Sequence, residues 1–143
     1  MKEKVPVTTT LHQLVRLMDK YAEKILQDEF SISYSWFLIL ATIAIIEPST
    51  QHFIAETLNY SDAAVSRLVV NLKDHGLISV EPDPSHGRRS IVRITDEGRS
   101  LVTRSNVKLE EAFAGALEAA KVDPLTFEES VTSLLEIMEM GDE

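Results

Sequence analysis

The stretch Ser61-Asp62-Ala63-Ala64-Val65-Ser66-Arg67-Leu68-Val69-Val70-Asn71-Leu72-Lys73-Asp74-His75-Gly76, followed at once by Leu77-Ile78-Ser79-Val80-Glu81, decides how this chain is read. Val65, Leu68, Val69 and Leu72 recur at the i, i+3, i+4, i+7 spacing of an amphipathic helix. Ser61 suits the cap, because its hydroxyl can accept from an orphan N–H of the first turn. Asp62 puts negative charge where the helix dipole favours it, and Gly76 offers the left-handed residue that ends a helix. The outward face then holds Asp62, Ala63, Ser66, Arg67, Val70 and Lys73. A helix entering the DNA major groove needs little bulk at its start, donors that reach base edges and cations for phosphate. This face has all three. It also fits an ordinary solvated helix, so the neighbouring segments have to decide.

Before it, Gln51 to Leu58 reads as a short helix with Phe53, Ile54 and Leu58 inward, and Asn59-Tyr60 as a turn. Two short helices joined by a tight turn outline a helix-turn-helix. After Gly76 the period changes from helical to alternating. Leu77, Ile78 and Val80 lead into Pro82-Asp83-Pro84-Ser85-His86-Gly87, dense in turn formers, and Ile91-Val92-Arg93-Ile94 is rich in β-formers. Two strands about such a turn make a β-hairpin. Following directly on a recognition-type helix, with Arg88 and Arg89 at its tip, that hairpin reads as a wing. Arginine there suits the narrow minor groove, although a solvated pair of turn charges is the plainer reading.

The flanks are helical. Residues 8–29 carry a broad stripe (Leu11, Leu14, Val15, Leu17, Met18, Tyr21, Ile25 and Leu26), with Thr8 to Thr10 as capping hydroxyls. So wide a stripe suggests burial against a second subunit; a plain core helix fits it too. Ser33 is placed to cap an apolar helix from Tyr34 to Ile46, expected to be the most buried element, and Glu47-Pro48-Ser49-Thr50 breaks it. Thr95 starts a long helix to about Ala120, and Asp123 with Pro124 starts the last, carrying Phe127, Val131, Leu134, Leu135 and Met138 inward.

With no cysteine, the chain has no disulfide, thiolate metal site or thiol nucleophile. Its four histidines (His12, His52, His75, His86) fall in separate elements without ligand spacing, and no phosphate loop or catalytic motif is present. No enzyme, metal or cofactor is expected. The longest apolar run, Trp36 to Ile46, is shorter than a membrane span, and Met1-Lys2-Glu3-Lys4-Val5-Pro6 lacks the apolar core of a secretory signal. A soluble cytoplasmic protein without a membrane partner is expected. The net charge of −9 argues against nucleic acid until it is localised: residues 101–143 hold three Lys/Arg against ten Asp/Glu, while residues 50–100 hold six against seven. The reading segment is near neutral, with Arg67, Lys73, Arg88, Arg89, Arg93 and Arg99 available.

This order of elements resembles the MarR family of bacterial transcription regulators. The residues that carry the resemblance are Ser66-Arg67-Leu68-Val69, then Leu72 with Gly76-Leu77-Ile78, Asp83-Pro84 and Gly87-Arg88-Arg89 in the wing, and Ile94-Thr95 with Gly98 at its end. The resemblance implies a homodimer held by its terminal helices and reading a pseudo-palindromic operator in double-stranded DNA as a repressor. It also implies release by small, often phenolic or anionic, ligands. Two positions depart from the family pattern. His86 stands where members carry an acid two residues before the wing arginine, which leaves Arg88 less firmly held and introduces a group that changes charge near neutral pH. Val70 replaces an outward polar residue.

The expected fold is thus mainly α with a small β-hairpin, one domain over residues 1–143. Residues 34–99 form the winged helix-turn-helix lobe, and 1–33 and 100–143 the dimerisation helices. The expected DNA-contacting residues are Ser61, Asp62, Ala63, Ser66, Arg67, Lys73, His86, Arg88 and Arg89, with Tyr34, Trp36 and Phe37 as an effector site. A competing reading is a winged-helix module for protein contact, whose acidic C-terminal segment would favour a basic partner.

Overall fold

A computed structural model describes residues 4–142; Met1-Lys2-Glu3 of the N-terminal stretch and Glu143 lie outside the described residues. The elements in order are α1 (Val7–Phe30), α2 (Tyr34–Ile45), β1 (Ser49–Thr50), α3 (Gln51–Leu58), α4 (Asp62–Asp74), β2 (Ile78–Asp83), β3 (His86–Ile94), α5 (Asp96–Ala120) and α6 (Pro124–Met140). Among the described residues the fold is a winged helix of six helices and a small antiparallel sheet. The chain divides into two compact units, Met1–Asn106 and Val107–Glu143.

In the first unit the core forms around α2, as its nearly unbroken apolar sequence requires. Ile39, Leu40 and Ile43 are wholly buried, together with Leu26 of α1, Ile54 of α3 and Val65 and Leu72 of α4. Ser33 caps α2 by accepting from the Trp36 N–H at 3.1 Å, and the Glu23 carboxylate of α1 accepts from the Tyr34 N–H at 2.7 Å. Thr50 caps α3 in the same way through the Phe53 N–H. The sheet runs in the order β1-β3-β2. The hairpin of the sequence reading is therefore one strand short: Ser49 and Thr50, read as a mere break, pair with Val92 and Ile91.

Helix starts and stops explain where the wing sits. Gly76, at φ 72°, ends α4, with the Leu77 N–H closing back on the Leu72 carbonyl at 3.0 Å. Thr95 then ties both ends of the wing together. Its hydroxyl donates to the Gly76 carbonyl at 2.7 Å and accepts from the Gly98 N–H at 3.1 Å, capping α5. Where β3 leads into α5, Gly98 is pressed so closely on the Leu77 carbonyl that a Cβ there would lie 2.1 Å from that oxygen.

Two expectations about facing and one about a helix cap differ from the structure. Phe53 is exposed by more than a third, and Ile54 and Ala55 take the inward positions of α3. The start of α1 takes no side-chain cap from Thr8 to Thr10; the helix begins directly after Pro6. In the second unit, Val131, Leu134, Leu135 and Met138 are not inward but exposed, and α6 contains no buried residue. That unit is held by a Phe113–Phe127 ring contact, centroids 5.8 Å apart, and by the Asp123 cap. Hydrogen bonds from the Thr126 N–H and hydroxyl hold the Asp123 carboxyl below the usual carboxylate range.

Candidate nucleic-acid interface

α4 is built as a reading helix needs to be. Ser61 accepts from the Ala64 N–H at 3.1 Å, which satisfies one donor of the first turn. Val65, Val69 and Leu72 are buried and Leu68 is half-buried, so the helix is gripped along one side. Ser61, Asp62, Ala63, Ser66, Arg67, Val70 and Lys73 are all exposed along the other. α3 packs against α4, and Asn59, in the left-handed region at φ 53°, makes the turn between them.

The wing presents its cations by an irregularity in the ladder. Pro82 pairs with Ser90, but the next β2 residue, Asp83, pairs with His86. Gly87, Arg88 and Arg89 thus have no partner on β2, and both arginines are exposed in the bulge. His86 is exposed opposite Asp83, and the acid of this tip is already committed: its carboxylate accepts from the Ser85 N–H at 2.9 Å. Among the described residues, Arg67, Lys73, Arg88 and Arg89 form no ion pair. Arg99 differs. It binds Glu47 at 2.9 Å, which removes it from the available cations. Arg93 is half-buried in β3.

Tyr34, Trp36 and Phe37 are not brought into one site. The Tyr34 and Phe37 rings stack with centroids 6.2 Å apart, and Phe37 is buried. Burial first, then the neighbouring Asp19 and Tyr60, raises the Tyr34 hydroxyl above its ordinary range. Trp36 instead meets the edge of His75 at 4.9 Å, in an open groove of about 520 Å3. Phe30, Glu29, Glu97 and Arg104 line the same groove, with the Arg104 guanidinium 5.6 Å over the Phe30 ring.

One group absent from the sequence reading lies at the head of α4. His52 of α3 reaches Asp62 through Nδ1 and Glu56 through Nε2, each at 3.3 Å. The i, i+4 spacing of His52 and Glu56 was visible in the sequence; the approach of Asp62 depends on the tertiary packing of α3 on α4.

A capped helix with a free polar face, a turn and helix before it and an arginine-bearing hairpin after it define a winged helix-turn-helix protein. Residues 30–89, from the end of α1 to the second wing arginine, match the sequence model of the MarR family. The transcriptional regulator BldR from Sulfolobus solfataricus is 25% identical with a TM-score of 0.79, over 94% of this chain and 93% of that one. The Staphylococcus aureus MepR–DNA complex is 20% identical with a TM-score of 0.75, over 96% and 99% of the two chains. Staphylococcus aureus MarR in complex with salicylate and kanamycin is 20% identical with a TM-score of 0.80, over 94% and 89%. No curated protein matches the sequence.

Proposed function

We propose that this chain is a sequence-specific DNA-binding transcription regulator, acting in the cytoplasm as a homodimeric repressor on a pseudo-palindromic operator. The observation that carries the reading is the set of exposed groups on α4 and the wing that form no ion pair among the described residues: Ser66, Arg67, Lys73, Arg88 and Arg89. Ser66 and Arg67 lie within reach of base edges, with Ser61, Asp62 and Ala63 at the entering end. Lys73 serves phosphate, and Arg88, Arg89 and His86 serve the minor groove and its backbone. MepR, of the same fold, is a DNA complex. Arg67→Ala should cost about 1–3 kcal/mol and relax preference at one base position. Lys73→Ala should weaken binding evenly across sequences and lower the salt slope by about one. Binding isotherms on operator variants at several salt concentrations separate the two effects. An even loss with unchanged base preference in Arg67→Ala contradicts the assignment.

The second subunit is supported by the apolar faces left open. Leu11, Leu14, Val15 and Met18 follow the i, i+3, i+4, i+7 spacing on α1, and all are 40% or more exposed. α6 exposes Leu134, Leu135, Ile137 and Met138 still further. Faces of this size on terminal helices fit an interface between copies.

For the effector, the groove beside Trp36 is the better seat than the Tyr34–Phe37 stack, because Phe37 is already buried. Trp36 and Phe30 offer aromatic walls, and Arg104 a partner for a carboxylate. Millimolar salicylate should quench Trp36, the only tryptophan, and lower operator affinity. No change in either signal removes an aromatic acid from consideration.

A further inference from the structure

We propose that His52 is a pH-responsive clasp on the recognition helix, drawing the Asp62 carboxylate at its head out of conflict with DNA phosphate as the imidazole gains a proton. The proposal rests on the DNA-binding reading above and adds a regulation to the same surface.

The geometry sets up the response. Both ring nitrogens of His52 face an acid: Nδ1 lies 3.3 Å from Asp62 Oδ1, and Nε2 lies 3.3 Å from Glu56 Oε1. A neutral imidazole has one N–H, so it can donate to one carboxylate while turning a lone pair on the other. The imidazolium donates from Nδ1 to Asp62 and stands as a positive charge 3.3 Å from Glu56. Protonation therefore completes the clasp and offsets one of two negative charges at the leading edge of α4.

The groups around it do not obscure this effect. α2 and β1, which pack on α3, carry no charged side chain. β3 carries His86, Arg88, Arg89 and Arg93, and among the described residues none of them pairs with Asp62 or Glu56. α4 contributes Asp62 itself, with Arg67, Lys73 and Asp74 farther along the helix. The three clasp side chains are exposed by 71%, 67% and 73% for His52, Glu56 and Asp62, so approaching DNA meets them directly.

The sign follows from linkage. Phosphate beside the ring favours the imidazolium, so the complex binds more protons than the free protein, and affinity rises as pH falls through the histidine range. Solvation limits the size to roughly two- to fivefold, the range of an exposed ion pair.

The test is operator affinity of the full chain at about pH 7.5 and about pH 6, at fixed ionic strength. The parent should bind about two- to fivefold tighter at the lower pH. His52→Gln keeps a donor but cannot titrate, and should lose most of that gain. Asp62→Asn keeps the start of α4 without its charge, and should also flatten the response. His12→Gln, on α1 and outside the DNA-facing residues, should retain it. An unchanged pH response in both His52→Gln and Asp62→Asn overturns the clasp while leaving DNA binding intact, and so does a response abolished by His12→Gln alone. Absence of operator binding by the parent at either pH overturns the DNA-binding reading and the clasp with it.

Discussion

Gly98→Ala will destabilise the protein by about 3 kcal/mol, at the upper end of what overpacking costs, and lower its thermal midpoint by roughly 10 °C. The added Cβ would stand 2.1 Å from the Leu77 carbonyl oxygen and 2.9 Å from Ile94 Cγ1. The isoleucine can rotate aside. The carbonyl cannot, because Leu77 O also accepts from the Thr95 N–H at 3.1 Å, where the wing closes on the end of α4. Relief requires the first turn of α5 to lift, which breaks the Thr95 cap and disturbs the base of the wing. Gly87→Ala is the control: nothing lies within 4 Å of its Cβ position, so its stability should stay within about 0.5 kcal/mol of the parent. Thermal or urea unfolding checks both. Equal midpoints for Gly98→Ala and the parent would show that α5 and Leu77 are not in contact as described.

In the proposed homodimer, Leu14→Glu is expected to separate the two copies and with that to abolish operator binding. Leu14 is at the middle of the α1 stripe and is 41% exposed in the single chain. In a two-fold interface each substitution appears twice. A core interface position contributes about 2 kcal/mol on truncation, so the pair removes about 4 kcal/mol, roughly a thousandfold in dissociation constant. A desolvated carboxylate adds to that loss. In the proposed complex each half-site is held by one protomer, so specific binding should fall even though α4 and the wing are untouched. Sedimentation velocity at micromolar concentration should show the parent as a dimer and the variant as a folded monomer. Unchanged sedimentation in Leu14→Glu would move the interface elsewhere.

What could be read from the sequence was local in origin. The start and stop of α4 rest on Ser61 and Gly76, a cap and a left-handed residue that act within one turn. The wing was legible from the change of period and its turn formers. β1 was not, because two residues become a strand only through pairing with Ile91 and Val92, about forty positions on. Arg99 looked available for the same reason: its partner Glu47 is 52 residues away. Tyr34, Trp36 and Phe37 stood together in sequence, but the helical turn of about 100° per residue sends Trp36 to His75 while Tyr34 and Phe37 stack. The apolar stripe of α6 was visible, but periodicity identifies a face and not what covers it. Val131 and Leu134 were read as turned to the chain's own core and are exposed.

Selection of bound sites from random duplexes by the full chain measures sequence-specific recognition of DNA itself. The expected product is an inverted repeat with half-site centres about one helical turn apart, roughly 34–36 Å, whose enrichment is lost in Arg67→Ala at one base position of each half. A pool that shows no enriched sequence, with binding displaced equally by unrelated DNA, would contradict the account and favour a winged helix used for protein contact.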